Sequence, residues 1–484
     1  MSEQSNQPRC PRCAELEAEV ASLKARVAEL EQIVAEQNKR IAELLERLNK
    51  TSANSSKPPS SNPPGFKQAP TKKRSGKKRG GQRGRQRALR DLVPPEKVSQ
   101  VVDHFPSDCD HCGKLLEPGM APSVAAPVLH QVAEIPPIEP HVTEHRLHEC
   151  LCNRCGERTR AKLPGDVPQG QFGPRLTAIL ALLSGGYRVS KRGVQRLALD
   201  LFGLSISTGM VCKLQRRTAE ALEKPVAALL EHVKTQNVHI DETSWREAGR
   251  KAWLWVVVTP LVTIFRIAQS RSADVARELL GSEYKHIAVC DRYVGYLWVN
   301  NVQLCWAHVR RDFQAMVDRG GESRAIGEHL LGLSDALFEW WHRVRDGTLA
   351  RSTFQQYVSV LRKECRKQLE LGTQCGCART AGTCRELLLD ERYLWTFVRR
   401  EGIEPTNNAA ERSLRHAVLW RKSSYGTASK TGSRFVERIL SLTATCRQQG
   451  RDVLETLTSA IEAHQLAKPT QSLLPQPDHP SAAA

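Results

Sequence analysis

The sequence lacks a long uninterrupted apolar segment. No apolar stretch follows the first methionine, and the longest one, residues 252–265, is interrupted by Thr259 and Pro260. We therefore expect no secretory signal. A stretch of this length is also too short to span a bilayer. These absences argue against the secreted and membrane-embedded classes, and they predict a cytoplasmic protein with no membrane partner.

Acidic residues are scarce relative to basic ones. The chain has 484 residues, with 71 Lys and Arg against 52 Asp and Glu, which gives a formal net charge of +19. Such an excess makes a polyanion the expected partner, and nucleic acid is the commonest one. A chain of this length is expected to hold roughly three domains. In a reducing compartment its 15 cysteines are better explained by metal sites and buried thiols than by disulfides.

A heptad repeat of apolar residues runs from Leu16 to Leu48. One seam position is mostly β-branched: Val20, Val27, Val34, Ile41 and Leu48. The other is mostly leucine: Leu16, Leu23, Leu30, Gln37 and Leu44. This distribution favours a parallel two-stranded coiled coil, so residues 14–50 are predicted to form a homodimer or a higher oligomer. A single amphipathic helix packed on its own domain is the alternative.

Residues 51–94 are predicted to be a disordered linker with a basic arm. Ser, Asn and Pro dominate residues 51–70, a composition that cannot form a core. Lys72 to Arg90 then contains ten basic residues and no acidic one. Such a run is either a solvated tail or an arm that contacts phosphates without reading bases. The arm's predicted DNA contacts are Lys72, Lys73, Arg74, Lys77, Lys78 and Arg79.

Two Cys-x-x-Cys motifs follow the arm. Cys109 and Cys112 form the first, and Cys152 and Cys155 form the second. Each motif places two thiols on one tight turn, so the doubled spacing predicts a structural Zn²⁺ site in a small β-rich module over residues 95–165. Four buried thiols are the alternative. The rival ligands nearby are Cys150, His111, His145 and His148, and Cys10 with Cys13 forms a further lone pair.

Residues 174–232 have helical periodicity. Ser190 and Ser207 are predicted helix caps on either side of a glycine turn, and the helix after Ser207 carries Lys213 and Arg216. Two helices joined by a short turn, the second with a basic face, indicate a helix-turn-helix-like DNA-binding domain, with ordinary helical packing as the alternative. Two later segments are also predicted to be helical: an insertion over 313–400 and a C-terminal element over 431–468. Residues 469–484 are predicted to be a disordered tail.

Two aspartates each end an apolar, strand-like run. Asp241 follows Val238-His239-Ile240, and Asp291 follows residues 286–290. Three successive strands, a helix and a further strand that ends in an acid are the order of a ribonuclease-H-like core, so the predicted fold class is α/β with this core over 236–312 and 401–430. Asp241 and Asp291 would then lie on neighbouring strands. Buried carboxylates this close need a cation, and Mg²⁺ suits such a site.

A third acid, Glu411, lies near the start of a predicted helix that begins at Asn407. Helical spacing places it on one face with Arg415 and Lys422, which are predicted to contact DNA phosphate. A common surface pair between Glu411 and Arg415 is the alternative. The rival acids are Glu242, predicted on the opposite strand face from Asp241, with Asp312 and Glu437.

At these residues the chain resembles the transposases of the insertion sequence 66 family almost from end to end. The motifs that carry the resemblance are residues 239–243, 290–296, 305–313, 407–415 and 421–423. The resemblance implies an aspartate–aspartate–glutamate triad of Asp241, Asp291 and Glu411. It also implies two Mg²⁺ or Mn²⁺ ions, one activating water or a 3′-hydroxyl and one stabilising the leaving oxygen.

By the same resemblance the protein is expected to be a bacterial, nucleoid-associated enzyme that cleaves DNA at terminal inverted repeats and joins the end to target DNA. Accessory proteins of the same element are possible partners. His308 and Arg310, at the end of a predicted fifth strand over 302–309, are further candidates for DNA contact. Two other functions stay open: a ribonuclease-H-like nuclease or resolvase without strand transfer, and a non-catalytic dimeric zinc-finger regulator.

Overall fold

The computed structural model describes residues 11–55, 62, 91–116, 125–168 and 170–476. The six predicted DNA contacts of the basic arm, and Cys10, lie outside these residues. The chain divides into two units, of which the smaller comprises residues 68–144 with 200–204 and the larger contains the rest. Among the helices of the described ranges, none is both long and apolar enough to cross a membrane.

The heptad region is one helix, α1 (Pro11–Asn49). Its seam residues are exposed in the single chain; Val27 and Leu30, for example, are 53% and 54% accessible. Near its C-terminal end, Glu46 forms an ion pair with Arg379. The predicted helix is therefore confirmed, whereas its pairing with a second copy stays a prediction.

The cysteine motifs lie in segments with little regular structure. Residues 91–116 and 125–144 of the smaller unit contain one 3₁₀ turn, Pro95–Lys97, and are otherwise extended or in turns. In the larger unit β1 (Glu149–Leu151) pairs antiparallel with β2 (Arg158–Arg160). The module predicted over 95–165 thus has fewer strands, in its described residues, than the expected β-rich fold. Turns, rather than long ladders, shape the polypeptide around the cysteines.

Four further helices lie between β2 and the central sheet. They are α2 (Pro174–Gly185), α3 (Lys191–Phe202), α4 (Thr208–Ala221) and α5 (Glu223–Val233). Leu180, Val194 and Leu214 are buried in a shared cluster that packs α2, α3 and α4 together. Ser207 caps α4 as predicted, because its side chain accepts a hydrogen bond from the Met210 amide at 3.1 Å.

The central sheet has five strands in the order β5-β4-β3-β6-β7. The strands are β3 (Val238–Glu247), β4 (Arg250–Val258), β5 (Thr263–Ala268), β6 (Ala288–Cys290) and β7 (Val302–Leu304). The first three form an antiparallel meander, whereas β6 pairs parallel to β3 and β7 parallel to β6. Helix α6 (Ala273–Leu280) connects β5 to β6. The predicted adjacency of the strands associated with Asp241 and Asp291 is confirmed.

Helices cover both faces of this sheet. Beyond β7 they are α7 (Trp306–Arg319), α8 (Gly321–Arg345), α9 (Arg351–Gly372), α10 (Ala378–Leu389), α11 (Glu391–Leu394), α12 (Thr396–Arg399), α13 (Asn408–Ser424), α14 (Lys430–Gln448) and α15 (Val453–Gln465). Alternate residues of β4 point to opposite faces: Leu254 and Val256 join the cluster with α13 and α14, whereas Trp255 and Val257 join the larger core with α6 and α7.

The fifth strand is shorter than predicted. The expected fifth strand over 302–309 ends at Leu304, and α7 begins at Trp306. His308 and Arg310 therefore lie on a helix rather than at a strand end. An apolar run this short does not distinguish a strand from the start of a buried helix, which explains the error.

The C-terminal segment and the cysteines of the helical insertion both contain buried residues. Leu473 is buried, and its carbonyl accepts from Gln449 at 3.0 Å. The predicted disorder of residues 469–484 is therefore wrong for the part up to residue 476. In the helical insertion, Cys365, Cys375 and Cys384 are buried free thiols.

Candidate active site

Asp241 lies at the point where β3 loses its neighbour β6. The parallel pairing ends with His239 opposite Val289, whereas the antiparallel pairing with β4 continues, with Asp241 opposite Val256. Asp241 is therefore inside β3, not at its end as the apolar run predicted. Asp241 nevertheless has no paired residue on the β6 side.

Asp291 directly follows β6 and occupies the matching position. Val238 pairs with Ala288 and His239 with Val289, so Asp241 and Asp291 both lie two residues beyond the last pair. The carboxylate of Asp291 accepts a hydrogen bond from the Tyr293 amide at 3.0 Å. The register of two parallel strands thus brings two aspartates, 50 positions apart in sequence, to one edge of the ladder.

Three carboxylates meet at this edge. Within the described ranges, Asp241, Glu242 and Asp291 are the group that offers three ligand oxygens within 4.8 Å of one another. Burial raises the pKa of Asp241 well above its usual range, and the charges of Glu242 and Asp291 raise it further. Burial likewise raises the pKa of Asp291. The cluster thus favours either protonation or a bound cation.

The position of Glu242 corrects its predicted orientation away from Asp241. Its Oε1 accepts from the Arg271 guanidinium at 2.6 Å, and its Oε2 accepts from the Tyr296 hydroxyl. Arg271 in turn stacks on the ring of Tyr293 at 3.8 Å. Both carboxylate oxygens of Glu242 are therefore engaged by protein groups. Those groups lie 29 and 54 residues away in sequence, so strand periodicity could not reveal them.

Glu411 approaches the aspartates from α13. The buried Asn407 donates from Nδ2 to the carbonyl of Ile240, the residue before Asp241, at 2.8 Å. The amide of Glu411 donates to the Asn407 carbonyl at 3.2 Å. The charge of Glu411 contributes to the raised pKa of Asp241. The hydrogen bonds of Asn407 thus place the first turn of α13, with Glu411, beside β3.

A cation that the sequence prediction did not single out lies beside Glu411. Arg311 approaches its carboxylate at 3.9 Å, as does His308. Burial and the nearby arginines lower the pKa of His308 to about 4, so at neutral pH Arg311 carries the charge. The neighbouring candidate Arg310 instead pairs with Asp335 at 2.6 Å.

The remaining predicted acids lie outside the carboxylate cluster, and the remaining predicted cations are exposed. Asp312 pairs with Arg292 at 2.6 Å, and Glu437 pairs with Arg434 at 2.9 Å on α14. Neither belongs to the carboxylate cluster. On α13 and α4 the predicted DNA-contacting cations are exposed: Arg415, Lys422, Lys213 and Arg216. Arg216 is 3.8 Å from Glu220, one helical turn away.

Each cysteine motif forms the same kind of turn. Gly113 donates to the Cys109 carbonyl at 2.8 Å, and Gly156 donates to the Cys152 carbonyl at 2.9 Å. Both glycines have positive φ, 69° and 75°, which favours glycine over residues with a Cβ. Backbone hydrogen bonds lower the pKa of both first cysteines, from Cys112 to Cys109 and from Arg154 to Cys152. Each turn on its own therefore favours the thiolate that a metal requires.

Comparison with known proteins assigns the family. The model of the IS66 family of transposases matches residues 169–434, more than half of the chain, and a family of unknown function matches residues 3–91. A relative from Sinorhizobium fredii (strain NBRC 101917 / NGR234), the uncharacterized protein y4qI, is 26% identical over 293 residues. That match covers 54% of this chain and about half, 53%, of the relative. The extent of the family match shows that the chain belongs to the IS66 transposase family.

Proposed function

We propose that this chain is the DNA transposase of a bacterial insertion sequence, and that it cleaves DNA and transfers strands at the site of Asp241, Asp291 and Glu411. The observation that carries the proposal is the meeting of Asp241 and Asp291 at the end of the β3–β6 ladder, with Glu411 fixed beside them through Asn407. Catalysis at this site depends on a divalent metal.

The topology supports a ribonuclease-H-like core. The sequence predicts three successive strands, a helix and a further strand, with the first and fourth strands adjacent, and the sheet β5-β4-β3-β6-β7 agrees with that order. The helical insertion α8–α12 separates β7 from α13 in sequence. This arrangement explains how Glu411 reaches acids that are more than 100 positions earlier in the chain.

The donor set fits Mg²⁺ or Mn²⁺. Carboxylate oxygens are the ligands these ions prefer, and few protein ligands leave room for water and phosphate oxygens. Asp241, Asp291 and Glu411 would hold the metal, whereas both oxygens of Glu242 already accept from Arg271 and Tyr296. Two bound ions would activate the attacking hydroxyl and stabilise the leaving oxygen.

Residues of the chain itself orient the substrate. Exposed Arg415 and Lys422, one and three turns from Glu411 on α13, would bind the phosphates that flank the scissile bond. Arg311, 3.9 Å from Glu411, would neutralise charge on the same side. The neutral His308 would serve as a hydrogen-bonding group rather than a cation.

The test is a nicking and joining assay on DNA that carries the element's terminal inverted repeats. We expect cleavage only with Mg²⁺ or Mn²⁺, followed by joining of the freed 3′ end to target DNA. Cleavage without joining would favour a nuclease or resolvase. Binding of the repeats without cleavage, in protein that retains bound Mn²⁺, would favour a non-catalytic regulator.

We further propose that the cysteine turns hold structural zinc. The repeated turn and the lowered thiol pKa of Cys109 and Cys152 support this assignment. Purified protein should contain about one Zn²⁺ per chain, and the double substitution Cys109→Ser/Cys152→Ser should lose it. A matched Cys212→Ser variant, at an exposed thiol on α4, should keep its zinc. Undiminished zinc in the double variant would refute the ligand set.

DNA binding and assembly complete the proposal. The basic arm and the α3–α4 pair would bind DNA through phosphate contacts, at the inverted repeats and at the target. The exposed seam of α1 would hold two chains together so that two element ends meet. Such a protein would act in the bacterial cytoplasm, associated with the nucleoid.

A further inference from the structure

A cavity of about 330 Å³ lies between α13 and α14, against β4 and β5. Its volume falls in the range of small-ligand sites, which is roughly 300–1,000 Å³. Phe265, Leu440 and Thr443 line it and are themselves buried. These side chains give the cavity a largely apolar floor, unlike the carboxylate cluster beside α13.

The same cavity has a basic wall. Arg412, His416 and Arg447 also line it, and all three are exposed. Within the described part of the chain, neither Arg412 nor Arg447 forms an ion pair with a carboxylate. An apolar floor with two uncompensated guanidinium groups suits a ligand that has a flat apolar body and an anionic group.

His416 adds a hydrogen-bond donor of fixed identity. The Arg188 guanidinium contacts its Nδ1 at 2.9 Å, and because a guanidinium can only donate, Nδ1 accepts. Burial and the charges of Arg188 and Arg447 lower the pKa of His416, which keeps the ring neutral. The proton is therefore on Nε2. Arg188 itself has a φ of 62°, a conformation that residues with a Cβ rarely adopt.

The cavity begins one residue away from the proposed metal site. Glu411 lies beside Asp241, and the adjacent residue, Arg412, lines the cavity. Val258 of β4 also lines the cavity and pairs with His239 of β3, so the cavity adjoins the strand that carries Asp241. One helix, α13, therefore connects the carboxylates with the cavity.

We propose that this cavity receives one unpaired nucleotide of the DNA substrate, with its base on the floor at Phe265 and its phosphate at Arg412 and Arg447. A base inside a duplex cannot enter a concave cavity, whereas an unstacked base can. The inference deepens the proposed function, on which it rests, by assigning a site for single-stranded DNA next to the point of cleavage. It selects DNA whose strands have separated at the element end.

The experiment measures binding of a fluorescein-labelled single-stranded 12-mer and of the matching duplex by anisotropy, with the full chain and no added Mg²⁺ or Mn²⁺. Loss of the phosphate contacts should weaken single-strand binding about tenfold in Arg412→Gln/Arg447→Gln, with duplex binding changed less than about twofold. The matched control is Arg343→Gln/Arg385→Gln, two exposed arginines of the helical insertion, which should bind like the wild type.

A second variant fills the cavity without a change of charge. Ala444→Leu adds bulk at a lining position and should weaken single-strand binding selectively, whereas Ala325→Leu, at an exposed position of α8, should not. Deoxyadenosine monophosphate should compete with the 12-mer more strongly than inorganic phosphate does. Thermal unfolding of each variant identifies any that do not fold. If Ala444→Leu does not fold, Arg412→Gln/Arg447→Gln provides the test.

Three results would overturn the inference. Equal competition by phosphate and by the nucleotide would reduce the cavity to an anion site. Equal loss of single-strand and duplex binding would make it a duplex contact. Unchanged single-strand binding in Arg412→Gln/Arg447→Gln would remove any role in DNA binding. Because no metal is needed here, these outcomes are distinct from failure of metal-dependent cleavage in the wild type.

Discussion

The region around the central sheet and helix α1 differ in the exposure of their apolar side chains. Around the sheet, apolar residues such as Trp255 and Ile240 are fully buried, and even the acids Glu242 and Glu437 are 8% and 3% exposed. Along α1 the apolar seam is exposed, with Leu23 at 56%. The region around the sheet buries its apolar side chains within one chain. Helix α1 instead leaves an exposed apolar stripe that a second copy would bury.

The difference teaches where function can be read from a single chain. Carboxylates that one fold collects and buries indicate a site that belongs to that fold. A periodic apolar stripe on an isolated helix indicates assembly instead, because water contact with it is unfavourable.

The largest effect should come from removing a metal-binding acid. Asp241→Asn, Asp291→Asn or Glu411→Gln should each lower DNA cleavage by about 10²-fold or more, since metal stabilisation of the reacting oxygens is worth several kcal/mol. DNA binding should persist, because the acids hold metal rather than DNA. Asp274→Asn, at an exposed pair on α6, is the control. Retained cleavage in any one variant would remove that residue from the site.

A smaller effect should come from Asn407, which touches no metal. Asn407→Ala removes the hydrogen bond to the Ile240 carbonyl, and outer partners of metal ligands typically contribute about 10- to 100-fold. We expect cleavage to fall in that range, with the metal requirement shifted to higher Mn²⁺ concentration. Asn407→Asp, which keeps the shape, should lower cleavage at least as much, because a carboxylate oxygen then faces the Ile240 carbonyl in place of the donor. Wild-type cleavage in both would show that α13 is positioned by other contacts.

On the other side of the comparison, Val27→Asp with Leu30→Asp should give monomers. The two substitutions place like charges face to face across the predicted seam, which disfavours pairing. Sedimentation should show the loss of the dimer, and joining of two element ends should fall while binding of one end persists. Glu29→Gln with Glu31→Gln, outside both seam positions, is the matched control. A dimer that survives the double aspartate substitution would assign the contacts elsewhere.

The last effect concerns the stability of the buried interior rather than DNA cleavage or joining. Burial raises the pKa of Glu437 from 4.5 to about 7, although Arg434 and the Ile267 amide oppose this shift. Its stabilising contribution is therefore complete below about pH 4.5 and is lost as the pH rises through about 7. Between about pH 5 and pH 8 wild type should lose stability relative to Glu437→Gln, by on the order of 3 kcal/mol. Denaturant unfolding at both pH values measures this difference, and a difference that does not vary with pH would contradict it.

Much of this architecture follows from local patterns, and the failures have a common physical origin. The seam of α1, the Ser207 cap and the apolar runs before Asp241 and Asp291 depend on neighbouring residues, so periodicity and capping rules predict them. Glu242 does not, because Arg271 and Tyr296 reach it from distant segments.

The helix at His308 and the cavity at Arg412 were likewise missed by sequence reasoning. Three-residue strands such as β7 give almost no periodic signal, so the boundary between strand and helix before His308 could not be located. The cavity depends on the spacing between α13 and α14 over β5, which is a tertiary feature. The sequence alone does not distinguish Arg311 from Arg310 for the same reason, since only the packing of helix α7 determines which of the two lies near Glu411.

The proposed function depends on a divalent-metal site at the buried carboxylates at the end of the β3–β6 ladder. The most direct measurement is Mn²⁺ binding to the full chain by electron paramagnetic resonance, in wild type, Asp241→Asn and the control Asp274→Asn. We predict bound Mn²⁺ in wild type and in the control, and loss of that signal in Asp241→Asn. Equal Mn²⁺ binding by wild type and Asp241→Asn would contradict it.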